Sequence, residues 1–276
     1  MAKDLVRDEW QAVAGGWRRW EPMLQSFTWP MSLRMVSAAE VGPGQRVLDV
    51  GCGTGDPTLQ VAVLVGPHGR VLGIDVAEAM IATGRERAAA LGLGHVEFRT
   101  ADVTTMDLPV ESFDAVLGRW SVIYVADAPA ALARLRRALV PGGHIALSAW
   151  APPEANPWIT IPMAALARVR SLPPPDSALP GVFHLSTDGA LAKALVGAGF
   201  QAVGQERVVL SWFAHDAEEF WAMTGDTAGP LAALLAELSA AERAQVKHEV
   251  VDGIAKFRAG DVYRIPAQAQ LAWGRA

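Results

Sequence analysis

Between residues 46 and 149, short strand-like runs of apolar residues alternate with stretches in which apolar residues have a helical spacing. Short apolar runs are typical of buried strands, and the sequence places them at RVLDVG (46–51), VLGID (71–75), HVEFRTAD (95–102), FDAVLGRW (113–120) and HIALSAW (144–150). The stretches between them space apolar residues three or four apart, which predicts helices at 57–65, 77–92 and 127–139. Strands that alternate with helices in this way predict an α/β fold whose parallel sheet carries helices on both faces.

The residues outside this region divide into an N-terminal cap, a lid segment and a C-terminal part that adds further strands to the sheet. The strand-like runs QERVVLSWF and VYRIPAQAQLAW, at 205–213 and 262–273, complete a doubly wound, seven-stranded, mostly parallel and Rossmann-like sheet. We therefore expect an N-terminal helical cap at 1–40, a ligand-binding core at 41–150, a lid segment at 151–186, and completion of the sheet at 187–276 with a helical insertion at 216–259. The prolines around 173–180 are typical of either a moving lid or a fixed polyproline strap.

Three glycines lie at alternate positions where the first predicted strand gives way to a helix, in VLDVGCGTG (47–55). Glycine lets the backbone turn sharply and approach a ligand closely, and open sheets bind ligands at the carboxyl ends of their strands. A dinucleotide fingerprint needs glycine at the position of Asp56, which disfavours the alternative of an NAD-dependent dehydrogenase. Asp75 ends the second predicted strand, where its carboxylate can accept hydrogen bonds from ribose hydroxyls or act as a plain helix cap.

Five motifs follow one another along the chain: VLDVGCGTG, GIDVAEAM, TADVTTMDLP, FDAVLGRWSVIYVAD and LRRALVPGGHIALSAW. In this order and spacing they resemble the motifs of class I S-adenosylmethionine-dependent methyltransferases, in particular the branch similar to the ubiquinone/menaquinone biosynthesis methyltransferases. The resemblance is strong over 46–150 and weaker elsewhere. It implies S-adenosyl-L-methionine as the cofactor and methyl transfer to the oxygen, carbon or nitrogen of a small organic acceptor.

The resemblance also implies which residues bind the cofactor. They are Asp49, Gly51, Gly53, Gly55, Asp75, Val76, Met80, Asp102, Val103 and Arg119. Asp49 and the glycines would hold the methionine end, Asp75 the ribose, and Met80 or Val76 the adenine ring. Asp102 and the Val103 N–H would bind the adenine edge, while Arg119 would border the methyl group. Core packing for Met80 and turn chemistry for Asp102 stay open as alternatives.

Methyl transfer from a sulfonium depends on alignment and desolvation of the attacking atom more than on a catalytic triad or a metal. A general base is needed when the nucleophile is a hydroxyl or an enolisable carbon, and His184 and His215 are the candidates because they lie near the predicted lid segments. Indole rings bring a large apolar area with one donor each, which suits an aromatic or apolar acceptor. The candidate acceptor-binding residues are Trp17, Trp20, Trp120 and Trp150, with packing of the cap onto the sheet as the alternative.

Composition narrows the partners and the location. The chain has 29 acidic and 24 basic residues and a formal charge of −5, so nucleic acid is an unexpected partner. The first residues lack the apolar core of a signal peptide and no long apolar run follows, which predicts a cytoplasmic protein without membrane insertion. Cys52 is the only cysteine, which excludes an intrachain disulfide and a cysteine-cluster metal site. We expect a small-molecule substrate, allow for a homodimer, and keep a non-catalytic cofactor-binding module as a further alternative.

Overall fold

The structure is a computed structural model that describes residues 2–172 and 178–276. Its strands are β1 (Arg46–Val50), β2 (Arg70–Asp75), β3 (Val96–Thr100), β4 (Phe113–Arg119), β5 (Leu139–Trp150), β6 (Gln201–Ala214), β7 (Arg258–Ala259) and β8 (Val262–Arg275). Its α-helices are α1 (Ala2–Arg19), α2 (Glu21–Ala38), α3 (Thr58–Val65), α4 (Glu78–Ala90), α5 (Ala128–Ala138), α6 (Pro157–Val169), α7 (Ala190–Gly197), α8 (Ala217–Thr227), α9 (Gly229–Ala236) and α10 (Ala240–Ile254). The predicted lid prolines at 173–177 lie outside the described residues.

The strands form one sheet in the order β3-β2-β1-β4-β5-β8-β6, with the two-residue β7 paired to β8. Strands β1 to β5 pair in parallel, and β8 pairs antiparallel with both β5 and β6. The winding reverses between β1 and β4, which is where open α/β sheets bind their ligands. The predicted doubly wound, mostly parallel, Rossmann-like sheet is therefore confirmed, with β7 as a small addition to the seven expected strands.

Strand β5 begins earlier than the sequence predicts. The Pro–Gly–Gly at 141–143 does follow the end of helix α5 at Ala138, as expected of a helix stop. The chain nevertheless enters the sheet at once, because Leu139 pairs with Phe113 before an irregularity shifts the register. Gly142 absorbs the shift with a φ of +77°. A proline–glycine signal marks the end of a helix, and strand pairing decides where the next element begins.

The core is centred on β1, β4 and the second half of β5, which are buried on both faces. This burial explains why β1, β4 and β5 read as continuous apolar runs rather than as alternating patterns. Leu48, Leu117 and Ile145 have no solvent exposure. Helix α2 joins this core through Met31 and Met35, which are also fully buried. The predicted N-terminal cap therefore packs against the sheet itself.

Two features extend the molecule past the carboxyl edge of the parallel strands. Strand β5 ends where Trp150 pairs with Ala269, but β6 and β8 continue to pair with each other as far as Ala214 and Tyr263. We call this extension the arm (residues 209–214 and 263–268). Helix α1 contacts α4, α8 and α9, so it bridges the sheet and the helical insertion after the arm. Within residues 2–172 and 178–276, no helix is both long and apolar enough to cross a membrane.

Candidate functional site

The glycine-rich bend after β1 lies at the carboxyl edge of the sheet, and its glycines differ in what surrounds them. Gly51 has a φ of +68°, and a Cβ built on it would lie 2.4 Å from the Cβ of Ser121. Gly53 also has a left-handed φ, of +53°, but no atom lies within 4 Å of a Cβ built there. Packing therefore requires glycine at Gly51, whereas at Gly53 the backbone borders open space. A ligand can approach the main chain closely at this second position.

Asp75, at the end of β2, binds the same bend. Its Oδ2 accepts the N–H of Gly53 at 3.0 Å and its Oδ1 accepts the N–H of Ala77 at 2.9 Å. Burial raises the pKa of Asp75, and the backbone donors only partly offset that effect. A carboxylate has about four acceptor positions. The backbone N–H groups of Gly53, Ala77 and Val76 all stabilise the carboxylate, so Asp75 ties the bend to the start of α4 and keeps about one acceptor position for a hydroxyl donor.

Asp49 is fully buried beneath the bend and is only half satisfied. Its Oδ2 accepts the hydroxyl of Thr58 at 2.6 Å, whereas its Oδ1 has no hydrogen-bond partner among the described residues. Burial raises the pKa of Asp49 to about 7, against the lowering effects of the Thr58 hydrogen bond and the Arg119 charge. The Ser121 hydroxyl, next to Gly51, is likewise buried without a partner. Two unpaired polar groups at one bend are consistent with a site that binds a polar ligand group.

Arg119 ends β4 and holds helix α2 against the bend. One terminal nitrogen donates to the hydroxyl of Ser32 at 2.8 Å, and the other donates to the main-chain carbonyl of Asp56 at 2.7 Å. Burial lowers the pKa of Arg119, while the nearby carboxylates of Asp56 and Asp49 oppose that shift. Arg119 also lines a narrow cleft between the cap and the bend. The other residues that line this cleft are Trp17, Glu21, Leu24, Gln25, Thr28, Thr54 and Asp56.

The predicted adenine side of the site lies beneath helix α1. Met80 is 2% exposed and packs with Val13 and Ala14 of α1. The structure therefore shows Met80 as part of a small core that the cap completes. Asp102 accepts both the N–H and the hydroxyl of Thr104 at 2.7 Å, which is the turn chemistry left open above. Val103 is buried beside it, and Val76 is half-buried at the end of β2.

Five aromatic rings pack against one another in a continuous, largely buried cluster next to the bend. We call this cluster the aromatic wall, and its members are Phe27, Trp120, Trp150, Trp158 and Trp212. Trp120 and Trp150 stack with centroids 4.2 Å apart and planes 8° from parallel. Trp158 and Trp212 stack in the same manner at 5.4 Å. The wall thus joins the ends of β4 and β5 to α2, α6 and the arm.

Trp120 carries backbone strain at the point where the wall meets the bend. Its φ is +52°, a conformation that bulky side chains rarely adopt. The Trp120 N–H donates to the hydroxyl of Ser148 at 3.0 Å, which holds the residue in this turn. Such strain is concentrated at functional sites in proteins. The indole nitrogens of Trp120 and Trp212 have no hydrogen-bond partner in the part of the chain that the structure describes.

The cap tryptophans have a different environment from the one predicted. The indole N–H of Trp17 donates to the carbonyl of Thr227 at 2.8 Å, and that of Trp20 donates to the carboxylate of Asp226 at 2.9 Å. Both rings therefore attach the cap to the end of α8, in the helical insertion, rather than to the sheet as the packing alternative expected. Trp17 also lines the cleft, whereas Trp20 does not. Acceptor binding by these two rings stays a prediction of the sequence.

The two candidate bases, His184 and His215, differ in burial and in their partners. His184 is 8% exposed, its Nδ1 has no partner among the described residues, and burial lowers its pKa. His215 follows the tip of the arm, where its side chain is 83% exposed and its Nδ1 lies 3.0 Å from Glu219. His215 precedes helix α8 and pairs with Glu219 of its first turn, and at this exposure the ring is in contact with solvent, so a catalytic role for His215 stays a prediction of the sequence.

His184 lies close to the loop that follows β4. The N–H of Gly181 donates to the carbonyl of Ile123 at 2.9 Å, which fixes the segment that carries His184 beside that loop. The carbonyl of Ser186 accepts a hydrogen bond from Gln270, which pairs in the sheet with Ala149. Since neighbouring residues of a strand point to opposite faces, this segment and Trp150 lie on opposite faces of the sheet.

Sequence reasoning missed Phe27 of the wall and Arg87 on α4, and it did not place Trp158 and Trp212 beside Trp150. Trp212 could have been placed there, because β5 and β6 run in the same direction and carry Trp150 and Trp212 to the same edge of the sheet. Phe27 and Trp158 lie on helices whose position no local pattern specifies. Among the described residues, no group of three or more histidine, cysteine or acidic side chains is arranged to hold a metal ion.

Comparison with known proteins identifies the family. Residues 47–143 match a model described as a methyltransferase domain. Nocamycin O-methyltransferase from Saccharothrix syringae is 36% identical over 201 residues, which cover 70% of this chain and 72% of that protein. Demethylmenaquinone methyltransferase from Symbiobacterium thermophilum is 35% identical over 147 residues, 51% of this chain and 54% of that protein.

A solved structure supports the fold. The crystal structure of an S-adenosylmethionine-dependent methyltransferase from Aquifex aeolicus superimposes with a TM-score of 0.51 at 24% identity, covering 68% of this chain and 86% of that one. The orphaned oxygen of Asp49, the open backbone at Gly53 and the spare acceptor capacity of Asp75 fit the amino-acid and ribose groups of the cofactor that the family uses. The chain therefore belongs to the class I S-adenosylmethionine-dependent methyltransferases and transfers a methyl group from that cofactor to a small organic acceptor.

Proposed function

We propose that the acceptor of this methyltransferase is an apolar, ring-bearing small molecule that lies against the aromatic wall. The observation that carries the proposal is the position of Trp120. It directly follows Arg119 of the cofactor cleft, precedes Ser121 at the glycine bend, and stacks on Trp150. The wall therefore begins where the cofactor site ends. Aromatic rings attract flat apolar molecules through stacking and through the burial of apolar area.

The cofactor side of the proposal assigns one group of residues to each part of S-adenosylmethionine. Asp49, Arg119 and the bend at Gly51, Gly53 and Gly55 bind the methionine end. Asp75 binds the ribose hydroxyls with the acceptor positions that its backbone partners leave free. The adenine ring lies beneath α1, where Val76, Met80, Asp102 and Val103 line the ends of β2 and β3.

Bound S-adenosylmethionine supplies a methyl group on a sulfonium, which is already a good leaving group. The work of the protein is then to exclude water and to align the acceptor. The aromatic wall excludes water, because Trp150 and Trp212 are 5% and 4% exposed. Trp120, whose backbone N–H is held by its hydrogen bond to Ser148, aligns the acceptor.

The catalytic roles of His184 and His215 stay predictions of the sequence. Gln270 holds the segment that carries His184 on the face of the sheet opposite Trp150, so His184 does not adjoin an acceptor on the aromatic wall. Burial lowers the pKa of His184. The cytoplasmic location, the homodimer and the exclusion of nucleic acid stay predictions of the sequence.

The experiment is an acceptor screen that measures formation of S-adenosylhomocysteine with phenols, hydroquinones and aliphatic alcohols or amines of similar size. We expect turnover with the ring-bearing hydroxyl compounds. The variant Trp150→Leu should raise KM for the acceptor about tenfold while leaving cofactor affinity unchanged. Trp221→Leu is the matched control, since Trp221 is also buried but lies in α8 outside the wall. Turnover confined to aliphatic acceptors, or equal effects of both variants, would refute the proposal.

A further inference from the structure

Arg87 of helix α4 makes contacts with three parts of the cofactor site at once. One terminal nitrogen lies 2.7 Å from the carbonyl of Thr54 and 2.9 Å from the carboxylate of Asp56, both in the glycine bend. The other lies 2.7 Å from the carboxylate of Glu21, at the start of α2. The side chains are 17%, 12% and 34% exposed for Arg87, Asp56 and Glu21 respectively. Ion pairs this shielded are screened by salt much less than surface pairs are.

We propose that Arg87 is a positioning residue for cofactor binding, which fixes the second half of the glycine bend and ties it to the cap helix α2. The proposal rests on the placement of the cofactor at the bend under Proposed function. Thr54 lies between Gly53 and Gly55, so a hydrogen bond to its carbonyl fixes the orientation of the peptide units that face the ligand. Glycine-rich backbone has little stiffness of its own. The side chain of Arg87, on the neighbouring helix α4, therefore restrains the bend.

The effect of Arg87 reaches the methionine end through Asp56. The carboxylate of Asp56 binds Arg87, while its main-chain carbonyl accepts from Arg119. Arg119 in turn donates to Ser32 of α2. The bend, the cap and the cationic group of the cleft therefore form one connected set. A planar guanidinium suits this task because its donors form a rigid fork that can satisfy several acceptors in fixed directions.

Loss of Arg87 would affect both structure and charge. The carboxylates of Glu21 and Asp56 would face the same cleft without their shared cation. Like charges that share a partly buried site repel each other, so α2 and the bend would separate. The carboxylate of the cofactor would then meet two negative charges, with Arg119 as the cation that remains near Asp56. We therefore expect weaker binding of the cofactor and greater mobility of the bend.

The test compares Arg87→Gln and Arg87→Lys with Arg85→Gln. Arg85 lies on the same helix, and its pair with Glu78 is at the surface, away from the bend. Calorimetry with S-adenosylhomocysteine should give a Kd about tenfold higher for Arg87→Gln, or ~1.4 kcal/mol. Arg87→Lys should recover part of the loss because it restores the charge, and Arg85→Gln should bind like the wild type. Hydrogen exchange of residues 51–60 in the free enzyme should be faster in Arg87→Gln than in Arg85→Gln.

Two outcomes would overturn the inference: Arg87→Gln binding within twofold of the wild type, or exchange at 51–60 equal to that of Arg85→Gln. If Arg87→Gln does not fold, Glu21→Gln provides the test, with an expected Kd about threefold higher. Unchanged affinity in that variant would also refute a tie to the cap. Failure of the wild type to bind S-adenosylhomocysteine would refute the cofactor site itself, which is a separate result.

Discussion

Alanine substitutions at Gly53 and Gly44 separate the cost of backbone strain from the cost of blocking a ligand. Both glycines have a left-handed φ, +53° and +80°, and neither has an atom within 4 Å of the Cβ that alanine would add. Gly53 lies in the bend at the carboxyl edge, whereas Gly44 lies in the turn before β1 at the opposite edge. The two variants therefore impose similar strain at two different places.

The magnitude follows from the conformation. A left-handed φ costs a residue with a Cβ about 1 to 2 kcal/mol, so each variant should lose that much stability, or roughly 2 to 8 °C in Tm. Binding of S-adenosylhomocysteine should respond differently. Gly53→Ala places a methyl group in the open space where the ligand approaches, so its Kd should rise at least tenfold, or ~1.4 kcal/mol. Gly44→Ala should bind like the wild type.

The assay is thermal unfolding followed by calorimetry of each variant at a temperature where it is fully folded. Equal Tm losses with a binding defect confined to Gly53→Ala would support close contact between the backbone and the cofactor. Normal affinity in Gly53→Ala would refute it, because no geometry that uses this open space could tolerate the added methyl group. A binding defect of equal size in both variants would mean that general strain, rather than the ligand, explains the loss.

Other predictions test the buried acid, the cap and the base. Burial raises the pKa of Asp49 from 3.8 to about 7, so keeping its carboxylate buried costs little free energy of unfolding below pH 4 and up to about 4 kcal/mol above pH 7. Asp49→Asn should therefore raise the denaturation midpoint at pH 8 more than at pH 4, while weakening the binding of S-adenosylhomocysteine. Equal shifts of the midpoint at the two pH values would contradict this. In helix α1, a Cβ on Gly15 meets nothing within 4 Å, whereas one on Gly16 would lie 1.9 Å from a carbonyl of α8. Gly15→Ala should therefore stabilise the protein by up to about 1 kcal/mol and Gly16→Ala should destabilise it in the same unfolding assay, and a reversed order would refute the docking of α1 on α8. With a hydroxyl acceptor, His184→Gln and His215→Gln should both leave kcat within about twofold of the wild type, because His184 lies on the face of the sheet opposite the aromatic wall and His215 is exposed; a large loss of kcat in His184→Gln would refute the position of the acceptor on the wall.

Much of the site could be predicted from sequence because its parts are local. The alternating periods set the order of strands and helices, and strand ends place Asp49, Asp75 and Arg119 at one edge of any parallel sheet. Three glycines in the bend after β1 predict close backbone approach, and all three have a positive φ. These features depend on residues that are neighbours in the chain, so short-range steric and hydrogen-bonding rules determine them.

Only the tertiary structure decided what covers that edge. Local patterns favoured neither acceptor binding nor packing for Trp20, and only the fold brings its indole N–H to Asp226, far along the chain. The same holds for Arg87, whose contacts with Glu21 and Asp56 depend on how α2 and α4 pack. Amphipathic periodicity states which face of a helix is buried, but it does not state against which element. That choice is made by the summed burial and hydrogen bonding of distant segments, which no local pattern contains.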